Sequence, residues 1–135
     1  MHSAPERSHN RLRQILIVED SQMMNAYYKV HLSIVPGCTL AFASDGQKAI
    51  AHIVAQGAPD LILLDINMPV MNGLEFLARH KMIWPDSTSR IIIVTTEGTE
   101  DDCRRGMEAG ADAYLKKPFE ASELVNLVAR QLFLK

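Results

Sequence analysis

Acidic, hydroxyl and basic side chains stand at the ends of four short apolar runs in this sequence. DLILLD ends on Asp65, and Glu19 and Asp20 follow QILIV. RIIIVT ends on Thr95, and DAYLKK ends on Lys117. Carboxylates placed close together repel one another and take up protons unless a cation neutralises them. These residue types therefore predict a combined cation and anion site, provided that the fold brings the four ends together.

Magnesium suits such a group of oxygen atoms, because it takes an octahedron of one or two carboxylates, water and phosphate oxygens. Asp20 and Asp65 are predicted to supply carboxylate oxygens. A backbone carbonyl near Asn67 is predicted to supply another, and Glu19 to act through water. The cation, the ammonium and the hydroxyl would hold three phosphoryl oxygens, and Asp65 would be placed to attack phosphorus. Phosphoryl transfer needs little more than this positioning and charge neutralisation.

The elements that must position these groups follow from the hydrophobic pattern. Apolar runs alternate with segments of helical period, and the strands are predicted at 14–18, 38–43, 60–65, 90–96 and 112–117. Strict alternation predicts right-handed crossovers and a parallel α/β sheet covered by helices on both faces. Ligands bind such open sheets beyond the carboxyl ends of the strands. The doubly wound (βα)5 arrangement therefore places function in the loops that leave the strands.

Composition excludes several other classes of protein. The 135 residues fit one domain, with 1–13 predicted to be a flexible polar tail and 14–135 the folded part. A formal net charge of -2 gives no general affinity for nucleic acid or an anionic membrane, and no stretch is apolar enough to span one. Cys38 and Cys103 belong to no ligand motif and are expected to be reduced thiols of a cytoplasmic protein.

The set of strand ends resembles the receiver domain of bacterial response regulators, the CheY-type fold of two-component signalling. The resemblance covers about residues 14–135. It rests on the acidic pair Glu19-Asp20, on LLDINMP, on IVTTEG and on YLKKPF, which stand in this order at the ends of the first, third, fourth and fifth strands. It implies a flavodoxin-like sheet with the strand order 2-1-3-4-5 and a signalling domain that is not a conventional enzyme.

The resemblance also implies a chemical role for each matching residue. Asp65 is expected to accept a phosphoryl group from a sensor histidine kinase or a histidine-phosphotransfer protein, with Mg²⁺ as cofactor. Thr95 is expected to bond a phosphoryl oxygen and to move inward on activation. Lys117 is expected to pair with the phosphoryl group, and its peptide bond to Pro118 is expected to be cis.

Three further positions match residues that modulate signalling in this family. Tyr114 matches an aromatic switch that rotates as Thr95 moves. Asn67 and Glu97 match positions that tune how fast the acyl phosphate hydrolyses. The surface of the fourth helix, the fifth strand and the fifth helix is expected to contact a downstream protein or a second copy of the chain.

Different functions remain compatible with these residues. The leading prediction is a stand-alone phosphorylation switch, and one alternative is the receiver portion of a larger DNA-binding regulator. The other alternative is a magnesium-dependent phosphohydrolase with an aspartyl nucleophile. Phosphatases of the haloacid dehalogenase type place a second acid two residues after the nucleophile, where this chain has Asn67. That amide cannot act as a general acid, which counts against the phosphohydrolase.

Overall fold

A parallel five-stranded sheet organises the chain, and the computed structural model describes residues 11–95 and 100–133. The elements in chain order are β1 (Arg13–Val18), α1 (Gln22–Leu32), β2 (Cys38–Ala43), α2 (Gly46–Gln56), β3 (Leu61–Asp65), α3 (Gly73–Ile83), β4 (Arg90–Thr95), α4 (Glu100–Glu108), β5 (Ala113–Lys116) and α5 (Ala121–Phe133). The strand order is β2-β1-β3-β4-β5, and every pairing is parallel. The predicted doubly wound fold and its strand order are confirmed.

Strand boundaries agree with the hydrophobic runs to within one residue where they can be compared. β1 begins at Arg13, one residue before the predicted start, and β5 covers the interior of the predicted run 112–117. The side chain of Arg11 binds both carboxylate oxygens of Asp60, at 3.0 and 2.7 Å. The predicted tail therefore meets the sheet at its last residues, while residues 1–10 lie outside the described part of the chain.

Two apolar layers enclose the sheet because successive strand side chains point to opposite faces. On one face, Tyr28 and Leu32 of α1 pack with Leu124 and Val128 of α5. The other face is covered by α2 and α3, whose buried members include Ala49, Ile53, Phe76 and Leu77. All five residues of β3 are buried, as expected for the central strand of a sheet covered on both sides.

Side chains at the helix starts explain where three of the helices begin. Ser21 accepts a hydrogen bond from the Met24 amide and caps α1, so Asp20 is left out of the cap. Asp45 caps α2 by accepting a hydrogen bond from the Lys48 amide. Asn72 forms a reciprocal capping box with Glu75 at the start of α3.

Gly106 fixes α4 closely against the sheet. By sequence it is a weak point, since glycine inside a helix costs roughly 1 kcal/mol relative to alanine. In the structure it is buried, and a Cβ at this position would overlap Cδ1 of Ile93 in β4. The absence of a side chain therefore allows the close approach of helix and strand.

Candidate functional site at the carboxyl edge of the sheet

The sheet brings the four predicted strand ends to one edge. β1, β3, β4 and β5 are consecutive neighbours in the strand order. Because the strands are parallel, the residues that follow them lie at the same edge: the acidic pair after β1, Asp65, Thr95 and Lys117. We call this cluster the acidic crevice. It lies between the β1–α1 loop and the β3–α3 loop.

Three carboxylates form the base of the acidic crevice. Ligand oxygens of Glu19, Asp20 and Asp65 all lie within 4.8 Å of one another. Glu19 and Asp65 are only 2% and 7% exposed, whereas Asp20 is exposed to solvent. Neither Glu19 nor Asp65 caps a helix, and burying like charges side by side is costly without a cation.

Burial, and after it the neighbouring charge of Glu19, raise the pKa of Asp65 to about 7. The Asn67 amide opposes this shift by donating a hydrogen bond of 3.1 Å to Oδ1, and the ammonium of Lys117 opposes it by its charge. The carboxyl group is therefore partly protonated near neutral pH. A divalent cation bound to it would favour the ionised form.

Lys117 supplies the positive charge of the acidic crevice. Its Nζ lies 3.1 Å from Oε1 of Glu19, and both side chains are largely buried. Its backbone amide donates to the carbonyl oxygen of Thr95 at 2.8 Å, and its peptide bond to Pro118 is cis, as predicted. The lysine is thus attached to β4 through its backbone and to the end of β1 through its side chain.

Thr95 and Asn67 complete the wall of the acidic crevice. Thr95 is fully buried, and its Oγ1 accepts a hydrogen bond of 3.4 Å from the Asn67 side-chain amide. Glu97 and the residue after Thr95 lie outside the described residues. Tyr114 is placed on β5 and is 49% exposed, so its ring occupies an outward position in this structure.

The β3–α3 loop contains a backbone conformation that the sequence does not predict. The Met71 amide donates to the Pro69 carbonyl at 2.7 Å, and Val70 between them has φ 66°. This is a γ-turn with positive φ at its centre, a rare and strained conformation for a β-branched residue. Val70 is also 74% exposed. Gly73 closes the loop directly on the backbone of Asp65, where a Cβ would meet the Asp65 carbonyl oxygen.

Sequence reasoning missed the Glu19–Lys117 ion pair and the strain at Val70. The pair joins residues at opposite ends of the chain, so only the order of the strands reveals it. The backbone of Val70 carries no sequence signal, because residues with positive φ are expected to be glycine or asparagine.

The donors of the acidic crevice fit a magnesium ion. Asp20 and Asp65 offer carboxylate oxygens, and with Glu19 they place three acids within 4.8 Å of one another. Hard oxygen donors at the end of parallel strands are the ligands that Mg²⁺ prefers. The backbone carbonyl of Asn67 and a water held by Glu19 remain predicted ligands.

Comparison with known proteins agrees with this geometry. Residues 15–129 match the response regulator receiver domain family. The chain is 37% identical over 112 residues to the nitrate/nitrite response regulator protein NarL of Escherichia coli, covering 82% of this chain and 50% of that protein. It is 40% identical over 93 residues to sporulation initiation phosphotransferase F of Bacillus subtilis, covering 69% of this chain and 73% of that protein.

Solved structures lead to the same family. Chemotaxis protein CheY4 of Vibrio cholerae superposes with a TM-score of 0.80 at 30% identity, covering 90% of this chain and 99% of that chain. The signal receiver domain of a LuxO repressor protein from Vibrio parahaemolyticus gives a TM-score of 0.81 at 30% identity, covering 90% of each chain. The chain therefore belongs to the response regulator receiver domain family, whose members are signalling domains of two-component systems.

Two further findings concern the length of the chain relative to its relatives and the absence of a membrane-spanning helix among the described residues. It spans about half the length of NarL and of the other curated transcriptional regulators of that kind. Among the described residues, no helix is both long enough and apolar enough to cross a membrane.

Proposed function

We propose that this chain is a phosphorylation switch in which Asp65 accepts a phosphoryl group from a phosphohistidine. The observation that carries the proposal is the acidic crevice itself. Two buried carboxylates and one exposed carboxylate face a single ammonium and a buried hydroxyl. The membership of the chain in the receiver family, whose members interact with histidine kinases or phosphotransfer proteins, supports the same chemistry.

In the proposed reaction, a carboxylate oxygen of Asp65 attacks phosphorus while the bond from phosphorus to the histidine nitrogen of the donor breaks. The other ring nitrogen of the donor carries a proton, so the imidazole leaves as a neutral group, and an acyl phosphate remains on Asp65. Lys117 and the Thr95 hydroxyl are placed to stabilise charge on the phosphoryl oxygens. Mg²⁺ held by Asp20, Asp65 and the Asn67 carbonyl would neutralise the remaining charge. Glu19 would serve it through water.

The Lys117 ammonium can bind a phosphoryl oxygen in place of the Glu19 carboxylate. Its ammonium is already held in the acidic crevice, 3.1 Å from the Glu19 carboxylate. An arriving phosphoryl oxygen competes with Glu19 for an ammonium that is already largely desolvated. The backbone bond between Lys117 and Thr95 would transmit any displacement of Thr95 to the end of β5. Asn67 and Glu97 are proposed to set the lifetime of the acyl phosphate.

The signal is proposed to leave through the surface formed by α4, β5 and α5. Met107 and Tyr114 are 40% and 49% exposed on this surface, and Tyr114 is the proposed aromatic switch. Phe133 is also 45% exposed, but its ring lies 5.6 Å from the Arg13 guanidinium and so has a partner within the chain. A downstream protein or a second copy of the chain is the proposed occupant.

The test is to treat the protein with a small phosphodonor, with and without Mg²⁺, and to follow its mass. We expect one phosphoryl group per chain that requires Mg²⁺ and is absent in Asp65→Asn. Asp86→Asn is the matched control, because it makes the same change at an exposed position outside the acidic crevice. Modification that persists in Asp65→Asn would contradict the proposal. Sustained turnover of a phosphate ester that requires Asp65 would favour the phosphohydrolase.

A second candidate concerns the context of the domain. Because the chain spans about half of its transcriptional-regulator relatives, it also fits the receiver portion of a larger DNA-binding regulator. It covers a larger share, 73%, of sporulation initiation phosphotransferase F, so a relative closer to this chain in length also exists. The length of the protein detected by antibody in its native cells distinguishes the two, and the chemistry at Asp65 is the same in both.

A further inference from the structure

A cleft remote from the acidic crevice lies between the C-terminal parts of α2 and α3. Its volume is about 370 Å³, near the lower end of the roughly 300–1,000 Å³ usual for small-molecule sites. It is lined by Ile53, Ala58, His80, Ile83, Trp84, Pro85, Asp86 and Ser87. The helix α3 begins beside Asp65 and ends at this cleft. Its 11 residues separate the two places by about 16 Å along the helix axis.

His80 is the unusual residue of the cleft. It is only 6% exposed, and its ring contacts those of Phe76 and Trp84 in tilted arrangements, with ring centroids 5.6 and 5.4 Å away. In the part of the chain that the structure describes, these ring contacts are its interactions, and no hydrogen bond reaches the imidazole. Its nitrogens are not among the buried polar atoms without a partner, so the imidazole reaches the open space of the cleft that it lines.

The imidazole is suited to bind a neutral polar group. Burial lowers the pKa of His80, so the ring is neutral at physiological pH and carries one N–H donor and one acceptor nitrogen. A hydroxyl group can bond to either nitrogen. Because His80 lines the cleft, a ligand there would supply the hydrogen bond that the described residues do not.

The remaining walls favour an aromatic ring and a positive charge. Trp84 and Pro85 provide flat apolar surface, and Ile53 provides a buried aliphatic wall. Asp86 places a carboxylate at the cleft, and within the described ranges no cationic side chain is paired with it. A cation next to both an indole face and a carboxylate is stabilised by the ring quadrupole and by direct charge attraction.

We propose that this cleft binds a small aromatic amine whose ring carries a hydroxyl group. The ring packs against Trp84, the hydroxyl bonds to His80, and the ammonium pairs with Asp86. Such a molecule has about ten non-hydrogen atoms, a size suited to a cleft near the lower end of the usual range. The proposal goes beyond the phosphorylation switch, because none of these residues belongs to the acidic crevice.

Trp84 is the single tryptophan of the chain and reports directly on the cleft. The experiment titrates the whole chain with tyramine and follows Trp84 fluorescence, excited at the red edge where phenols do not absorb. 2-Phenylethylamine lacks the hydroxyl, and tyrosol replaces the amine with a neutral alcohol. We expect saturable binding of tyramine and affinities roughly five- to tenfold lower for each analogue.

Two variants assign the preferences to residues. His80→Phe is expected to bind tyramine and 2-phenylethylamine equally, and Asp86→Asn is expected to bind tyramine and tyrosol equally. Asp86 is exposed, so its variant tests the proposal even if His80→Phe fails to fold. Phosphorylation of Asp65 in each variant shows that the fold is intact.

Several results would overturn the proposal. These are the absence of saturation by tyramine, equal affinities of the intact chain for all three probes, or a preference that survives both substitutions. A tyramine-dependent shift of the Asp65 and Asn67 amide resonances, with none at Trp84, would place the amine in the acidic crevice and would also contradict it.

Discussion

Asp60 and Asp65 stand at the two ends of β3, and their surroundings are opposite. Asp60 accepts two hydrogen bonds from Arg11 and one of 2.8 Å from the Gln14 amide. Partial burial would raise the pKa of Asp60, but these bonds and the Arg11 charge outweigh it and lower the pKa. Asp65 is more deeply buried beside another acid, which raises its pKa. The fold therefore stabilises the ionised form of Asp60, whereas the ionised form of Asp65 lowers the stability of the fold.

Backbone strain follows the same division between the two edges of the sheet. In the described ranges, the glycines with positive φ are Gly37, Gly57 and Gly110, which lie in loops that lead into strands. The one non-glycine residue there with positive φ is Val70, in a loop that leaves a strand. Glycine adopts such angles without strain, whereas valine does not. At the amino edge, where the strands begin, the residues are therefore unstrained. The carboxyl edge, where the strands end, keeps both electrostatic and conformational strain, as functional sites do.

Replacing Lys117 tests the carboxyl edge most severely. Lys117→Met should lower the rate of phosphorylation by a small phosphodonor by about a hundredfold, because it removes a preorganised charge from the phosphoryl site. The measurement is the rate of mass increase at saturating Mg²⁺. Lys116→Met is the matched control, since the neighbouring lysine is exposed on β5. Equal rates for the two variants would remove Lys117 from the proposed mechanism.

Replacing Asp60 tests the amino edge. Asp60→Asn should lower the free energy of unfolding by about 2 kcal/mol, because it weakens hydrogen bonds between a carboxylate and charged or backbone donors. Urea denaturation measures this change. The rate of phosphorylation should stay that of the unaltered chain below the unfolding transition. If Asp60→Asn slowed phosphorylation as much as Lys117→Met, the conclusion that only the carboxyl edge takes part in phosphorylation would be wrong.

The pH dependence of stability should have opposite signs at the two ends of β3. The raised pKa of Asp65 contributes stability below its ordinary value of 3.8, and that stability is lost as pH rises toward about 7. The free energy of unfolding of Asp65→Asn should therefore be higher than that of the unaltered chain by about 1–2 kcal/mol at pH 8 and should differ little from it at pH 4. The lowered pKa of Asp60 contributes stability above its ordinary value that is lost as pH falls through the folded-state pKa.

Urea denaturation at a series of pH values without divalent metal gives both profiles. Asp60→Asn should lose less stability on acidification than the unaltered chain does. If the free energies of unfolding of Asp65→Asn and of the unaltered chain change with pH in parallel, ionised Asp65 does not destabilise the fold.

The smallest effect is expected from relieving strain in the γ-turn. Val70→Gly should raise the free energy of unfolding by about 0.5–1 kcal/mol, because the relief of strain outweighs the added freedom of the unfolded chain. Val70→Ala removes most of the side chain but keeps a Cβ at φ 66°, so it should gain less. If the two variants gain equally by urea denaturation, exposure of the valine side chain is the cause.

The sequence carries most of the fold because its local signals agree with one another. The apolar run before Asp65, the Asp45 cap and the capping residues Asn72 and Glu75 each specify structure within a few positions. The groups of the acidic crevice were predictable for a related reason, since parallel strands of known order bring their ends together. Their individual roles in phosphoryl transfer remain proposals.

Long-range packing and backbone strain could not be predicted from the sequence. Gly106 resembles a helix-breaking residue until the position of Ile93 is known, because its role depends on a strand distant in sequence. The cap of α1 is Ser21, whose side chain accepts a hydrogen bond from the Met24 amide, whereas the preceding Asp20 is exposed in the acidic crevice. The environment of His80 likewise depends on how α2 and α3 pack together.

The backbone bond from the Lys117 amide to the Thr95 carbonyl has a consequence for motion. A displacement of the Thr95 carbonyl would change the hydrogen bond of 2.8 Å that the Lys117 amide donates to it, and with it the chemical environment of that amide. If Thr95 samples an inward position before phosphorylation, the Lys117 amide should exchange between the same two environments with the same rate constant. Relaxation-dispersion NMR of that single amide would then give the population of the active conformation in the resting protein.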